Sequence, residues 1–73
     1  MASITHTARV TGPVRYVNPQ GKTDTLPLGP CLVEQVDEKL ADIIWGHAGE
    51  ESAVVPMKVV ETAEMNGDLV LLD

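Results

Sequence analysis

Phenylalanine is absent from these 73 residues, and the aromatic side chains are Tyr16 and Trp45 alone. Cysteine is almost as scarce. Cys31 stands by itself, so no disulfide can form within the chain. A structural zinc site needs four Cys, His or carboxylate ligands. Cys31, His6 and His47 have no close spacing, so no metal or other cofactor is expected. Basic residues are few: five against eleven acids, for a net charge of −6. They are scattered at Arg9, Arg15, Lys22, Lys39 and Lys58, with Arg9 and Arg15 close enough in sequence to share one weak patch. Phosphate binding requires clustered Lys and Arg, so nucleic acid is not an expected partner. The acidity reads as solubility, as mimicry of nucleic acid, or as a surface for a basic protein. There is no run of about 18 apolar residues, so neither a membrane-spanning helix nor a membrane partner is expected. The first ten residues, MASITHTARV, lack a charged head followed by an apolar core and do not read as a signal peptide. Together with the lone thiol, this places the protein in the cytoplasm.

What is present amounts to one domain, residues 1–73. A chain of this length buries only about 60% of its unfolded surface, so self-association would add stability it otherwise lacks. In residues 3–10, Ile4, His6, Ala8 and Val10 alternate with Ser3, Thr5, Thr7 and Arg9, a strand pattern. Thr11-Gly12-Pro13 breaks it, and residues 14–17 (VRYV) form a second short strand. Asn18-Pro19-Gln20-Gly21 reads as a turn, with proline presetting φ and glycine accepting a positive φ. Residues 26–30 (LPLGP) make a stiff connector, and residues 18–30 could fold over one end of the domain.

Residues 31–45 fit two patterns. As a helix, Pro30 suits the first position and Gly46 the residue after the last turn. Leu32, Val33, Val36, Leu40, Ile43 and Ile44 then fall in an arc of roughly 120°. As two strands, Ala41, Ile43 and Trp45 alternate with Leu40, Asp42 and Ile44, and Asp37-Glu38-Lys39 is a turn without the glycine such turns prefer. Farther on, residues 52–57 (SAVVPM) form a strand whose Pro56 belongs at an edge or an end. Residues 59–64 form a turn or short helix, Asn66-Gly67 is a turn, and residues 69–72 (LVLL) form a strand with no polar face.

The segment VEQVDEKLADIIW, then a glycine-containing loop, then EESAVVPMKVVE resembles many SH3-like barrels. Those barrels run as a strand ending in Val-Glu-x-Val-Asp, a short turn, a strand ending in an aromatic, an acidic loop, a strand ending in Val-Pro-Leu and a single 3₁₀ turn. Bacterial type II dihydrofolate reductases, KOW-type modules and the small hydrogenase-maturation chaperones share this order. The chaperones also end in a Gly-Asp-x-Val-Leu strand, similar to Gly67–Leu71. The resemblance covers about residues 29–72 and implies a mainly β fold: a small SH3-like barrel with a 3₁₀ turn before the last strand. The alternative is an α+β fold, ββ-helix-ββ, with the helix at residues 30–45. The reductases carry Val-Gln-Ile-Tyr-Pro where this chain has Ala53-Val54-Val55-Pro56, without the polar and aromatic residues, so reductase activity is not expected. The chaperones' cysteine follows the initiator Met, where this chain has Ala2, and KOW modules bind nucleic acid with basic loops.

No catalytic constellation is legible, and His6, His47 and Cys31 have no evident catalytic neighbours in sequence. The candidate binding residues are Trp45, His47 and Tyr16, with Glu50 and Glu51 at the rim, because aromatics dominate interface hot spots and Gly46 and Gly49 let backbone approach a ligand. A strand covered on one side should alternate apolar and polar, whereas Val54 follows this rule no better than Val70 and Leu72. These three are the candidate interface. The expected function is a small acidic, non-enzymatic, cytoplasmic protein-interaction module of bacterial type that forms homo-oligomers. The alternatives are a ligand-binding protein or enzyme with a site between subunits, and a nucleic-acid mimic acting as an inhibitor.

Overall fold

The computed structural model describes residues 4–46 and 48–72. The fold is mainly β. Among the described residues, seven strands and one helix follow in the order β1 (Ile4–Val10), β2 (Arg15–Val17), β3 (Thr23–Thr25), β4 (Gly29–Gln35), β5 (Leu40–Trp45), β6 (Glu51–Pro56), α1 (Met57–Asn66) and β7 (Leu69–Leu71). Five strands make one antiparallel sheet in the order β6-β5-β4-β1-β7, and β2 and β3 form a separate two-stranded ribbon.

Residues 29–35 and 40–45 are strands joined by a turn at 36–39, which removes the helix at 30–45. Pairing decides what periodicity left open. Val33 opposes Ile43 and both are buried, while Leu32 opposes Ile44 on the other face. A helix would have put Leu32 and Val33 in one apolar arc, whereas a pleat sends adjacent residues to opposite sides. The missing turn glycine is replaced by Asp37. Its Oδ1 accepts hydrogen bonds from the amides of Lys39 (2.7 Å) and Leu40 (2.9 Å), an aspartate-built turn. Asn18 does the same in the β2–β3 ribbon, where its Oδ1 accepts from the Gln20 and Lys22 amides at 3.0 Å each.

The sheet does not close into a barrel. β6 and β7 are its two edges and do not pair with each other, because β7 is three residues long and α1 lies between them. The expected single 3₁₀ turn is likewise a ten-residue α-helix. Pro56 ends β6 and starts the helix, and nothing breaks helical geometry before Asn66-Gly67. Gly67, at φ 77°, then ends it. The Gly67 amide donates to the Glu64 carbonyl (3.2 Å) and the Asp68 amide to the Ala63 carbonyl (2.8 Å), the pattern of a Schellman cap.

The concave side of the sheet holds the core. Ala8, Val10, Cys31, Val33, Ala41, Ile43 and Val55 are all buried there. One open end is plugged by Val60 and Ala63, three residues apart on α1. The 11–28 excursion adds Val14 and Leu26, tied by a Leu26 amide to Val14 carbonyl bond of 2.9 Å. Within β7 only Leu69 is buried (2% exposed), while Val70 (42%) and Leu72 (57%) remain open.

Candidate functional site

The convex side of the sheet is assembled from alternate residues of five strands. One row across it runs Thr7, Leu32, Ile44, Ser52, with Leu72 joined at the β7 end by its amide bond to the Thr7 carbonyl (2.8 Å). On one side lies Thr5, Glu34, Asp42, Val54; on the other, Val70, Arg9, Pro30. Leu32, Val54, Val70 and Leu72 are exposed on this face, and Ile44 is half-buried. The three interface residues expected from sequence therefore share one surface.

Two carboxylates face each other within it. Asp42 is directly opposite Glu34 across the β4–β5 ladder. The Thr5 hydroxyl donates to Glu34 Oε2 at 3.3 Å, but the enclosed Oδ1 of Asp42 accepts no bond from the described residues. Burial, and then the Glu34 charge, push the Asp42 carboxyl above its ordinary range.

Trp45 sits at the end of β5, on the face shared with Ile43. It packs half-buried against the core, opposite the exposed Glu51. Its free side borders two shallow grooves, one with Pro27, Leu28, Pro30 and Gly46, the other with Thr7, Cys31, Leu32 and Ile44 among its walls. Tyr16 lines neither of these grooves. It lies in β2 opposite Asp24, half-buried, and burial followed by the Asp24 charge raises its phenol pKa. His47 lies outside the described residues. Glu50 has a local task. Its carboxylate accepts the Ala48 amide (2.8 Å) and rests where a Cβ on Gly46 would stand, at 2.9 Å. Those amide bonds, from Ala48 and from Glu50 itself, hold its pKa below the usual range. Cys31 is buried, and burial pushes its thiol up. Among the described residues no group of three His, Cys, Asp or Glu side chains gathers to hold a metal, and no helix is long and apolar enough to cross a membrane.

A further groove, of about 410 Å³, was not legible in the sequence. It runs between residues 13–15 and α1. Pro13, Val14, Pro56, Val59 and Ala63 supply apolar surface, and Arg15, Lys58, Thr62, Asn66 and Asp68 supply polar groups. The two cations come from opposite halves of the chain. Only the full helix, with Val59, Thr62, Ala63 and Asn66 on one face, forms the second wall. Comparison with protein-family models, with curated proteins and with solved structures gives no significant match.

Proposed function

We propose that the protein is a small, acidic, non-enzymatic interaction module that associates with copies of itself through the convex face of its sheet. The supporting observation is that Leu32, Val54, Val70 and Leu72, all exposed, lie on one side of the five strands, from Val54 at one edge to Val70 at the other, with the half-buried Ile44 among them. An exposed apolar cluster on a continuous surface marks an interaction site, and closed homo-oligomers with two-fold symmetry are the commonest solution. A standard interface takes about 800 Å² from each partner, about a sixth of the 5053 Å² this protomer exposes. The buried single thiol suits a reducing cytoplasm.

Light scattering coupled to size exclusion, run over a concentration series, tests the reading. The expected result is a mass above that of one 7.8 kDa chain, rising with concentration, and a single-chain mass for the Val54→Lys/Val70→Lys variant with its circular dichroism unchanged. A wild-type protein that stays single-chain at its solubility limit overturns the proposal.

A further inference from the structure

We propose that the groove between residues 13–15 and α1 binds a short extended segment of a partner protein, one that carries Asp or Glu beside an apolar side chain. This goes beyond self-association, and Leu32, Ile44, Val54, Val70 and Leu72 on the convex face do not line the groove.

Charge points to the occupant. Arg15 and Lys58 are two of the chain's five bases, and they meet on one groove although the chain holds eleven acids. Both are exposed, and neither is ion-paired with a described residue. The single acid of the groove, Asp68, is lodged against Gly12, where a Cβ would overlap its carboxylate oxygen. The two cations Arg15 and Lys58 outnumber that acid on the groove's walls, so an entering carboxylate is drawn there, while the surrounding acidic surface repels it elsewhere. The apolar surface between them, from Pro13, Pro56 and Val59, suits a neighbouring aliphatic side chain. Thr62 and Asn66 offer hydrogen bonds for an extended backbone.

The groove is also held in shape. Its two walls join where the amides of Thr11 (2.8 Å) and Gly12 (3.2 Å) donate to the Asp68 carbonyl, and Val14 and Ala63 root the walls in the core. A preformed cleft loses little entropy on binding. About 410 Å³ lies within the range of small-ligand sites and accommodates a few residues.

The test uses the full chain, ¹⁵N-labelled, with short peptides carrying Asp or Glu beside Leu, Ile or Pro, matched Asn/Gln and Lys versions, and free glutarate. Acidic peptides are expected to shift the amide signals of Lys58, Val59, Thr62 and Asn66. They should bind about tenfold or more tightly than their amide versions, as a charge-assisted contact requires. Arg15→Gln/Lys58→Gln should abolish that preference, whereas Lys22→Gln, a substitution at an exposed turn, should not. Equal binding of acid and amide forms, retention of the preference by the double variant, or no acidic peptide shifting these signals overturns the proposal. Glutarate matching the peptides would reassign the groove to small carboxylates and also overturn it. Running the same titration on Val54→Lys/Val70→Lys separates this result from self-association, because the groove should bind whether or not the chain is single.

Discussion

Replacing Asp42 by Asn should stabilise the protein. Asp42 and Glu34 are direct cross-strand neighbours, and Asp42 Oδ1 is enclosed without a donor among the described residues. Like charges in that position oppose pairing by about 0.2–1 kcal/mol. The Thr5 hydroxyl offsets part of the Glu34 charge but reaches Glu34 only. An asparagine of the same shape removes one charge and offers an amide hydrogen to the Glu34 carboxylate. The net gain should be about 0.5–1 kcal/mol at neutral pH, which raises Tm by about 2–8 °C for a domain of this size. The gain has a defined pH dependence. The folded-state pKa of Asp42 lies above its ordinary value of 3.8, so the native state binds the extra proton and the wild type loses stability as pH rises. The penalty is absent below the ordinary value, grows through the window between the two, and is full above the raised pKa. Thermal unfolding by circular dichroism at about pH 3 and pH 7 measures both ends. A Tm at pH 7 that falls on substitution, or a gain that is equally large at pH 3, refutes the reasoning. In a double-mutant cycle, Glu34→Gln/Asp42→Asn should gain less than the sum of its parts, since each change relieves the same repulsion.

Ile43 is 1% exposed between Val33 and Ala53, so Ile43→Val should cost about 1 kcal/mol and lower Tm by about 4–8 °C by calorimetry; a change of less than about 1 °C would show the core repacks freely. Gly46→Ala meets both a φ of 98° and the Glu50 carboxylate, and urea unfolding should show a loss of about 1 kcal/mol or more. Adding Glu50→Ala should recover only the part due to crowding, because the backbone strain remains. Native Cys31 should react with iodoacetamide far more slowly than the urea-unfolded chain, being buried with a raised thiol pKa; equal rates would contradict its placement.

Much of the fold was legible where one local signal spoke alone. The alternation in residues 3–10, the Asn18–Gly21 turn and the Asn66-Gly67 stop each have a chemical cause that is written in adjacent residues, and each appears in the structure. Residues 31–45 satisfied both periodicities, and the choice came from cross-strand partners at a distance in sequence: Val33 needs Ile43, and Ile43 needs Ala53. Residues 59–64 read as a turn or short helix, whereas the helix runs from Met57 to Asn66, with Val60 and Ala63 plugging the open sheet. Val54, Val70 and Leu72 were legible as unsatisfied apolar residues, but only strand order shows that they share a face. Glu50 looked like rim charge, and its bond to Ala48 depends on the loop's own geometry. Arg15 and Lys58 could not be joined by any local pattern, since the groove exists only once the 11–28 excursion lies beside α1.

The row arrangement of the convex face constrains how two copies could meet on it. A two-fold axis through the acidic row would set Asp42 and Glu34 of each copy against the same pair, gathering four carboxylates in a desolvated centre, where unpaired charge is costly. An axis along the row of Leu72, Leu32 and Ile44 instead exchanges the rows on either side of it. The row of Thr5, Glu34, Asp42 and Val54 then faces the partner's row of Val70, Arg9 and Pro30. Arg9 and Glu34 lie on adjacent strands, whose spacing of about 4.8 Å is well within the reach of an arginine. This register leaves Leu72, Leu32 and Ile44 in the dry centre and places the chain's one cation on these rows beside its two acids. Arg9→Glu should therefore weaken association by about tenfold or more, and Arg9→Glu/Glu34→Arg should restore it, measured by sedimentation equilibrium. If the charge swap fails to rescue a weakened Arg9→Glu protein, this register is wrong, even where self-association itself is observed.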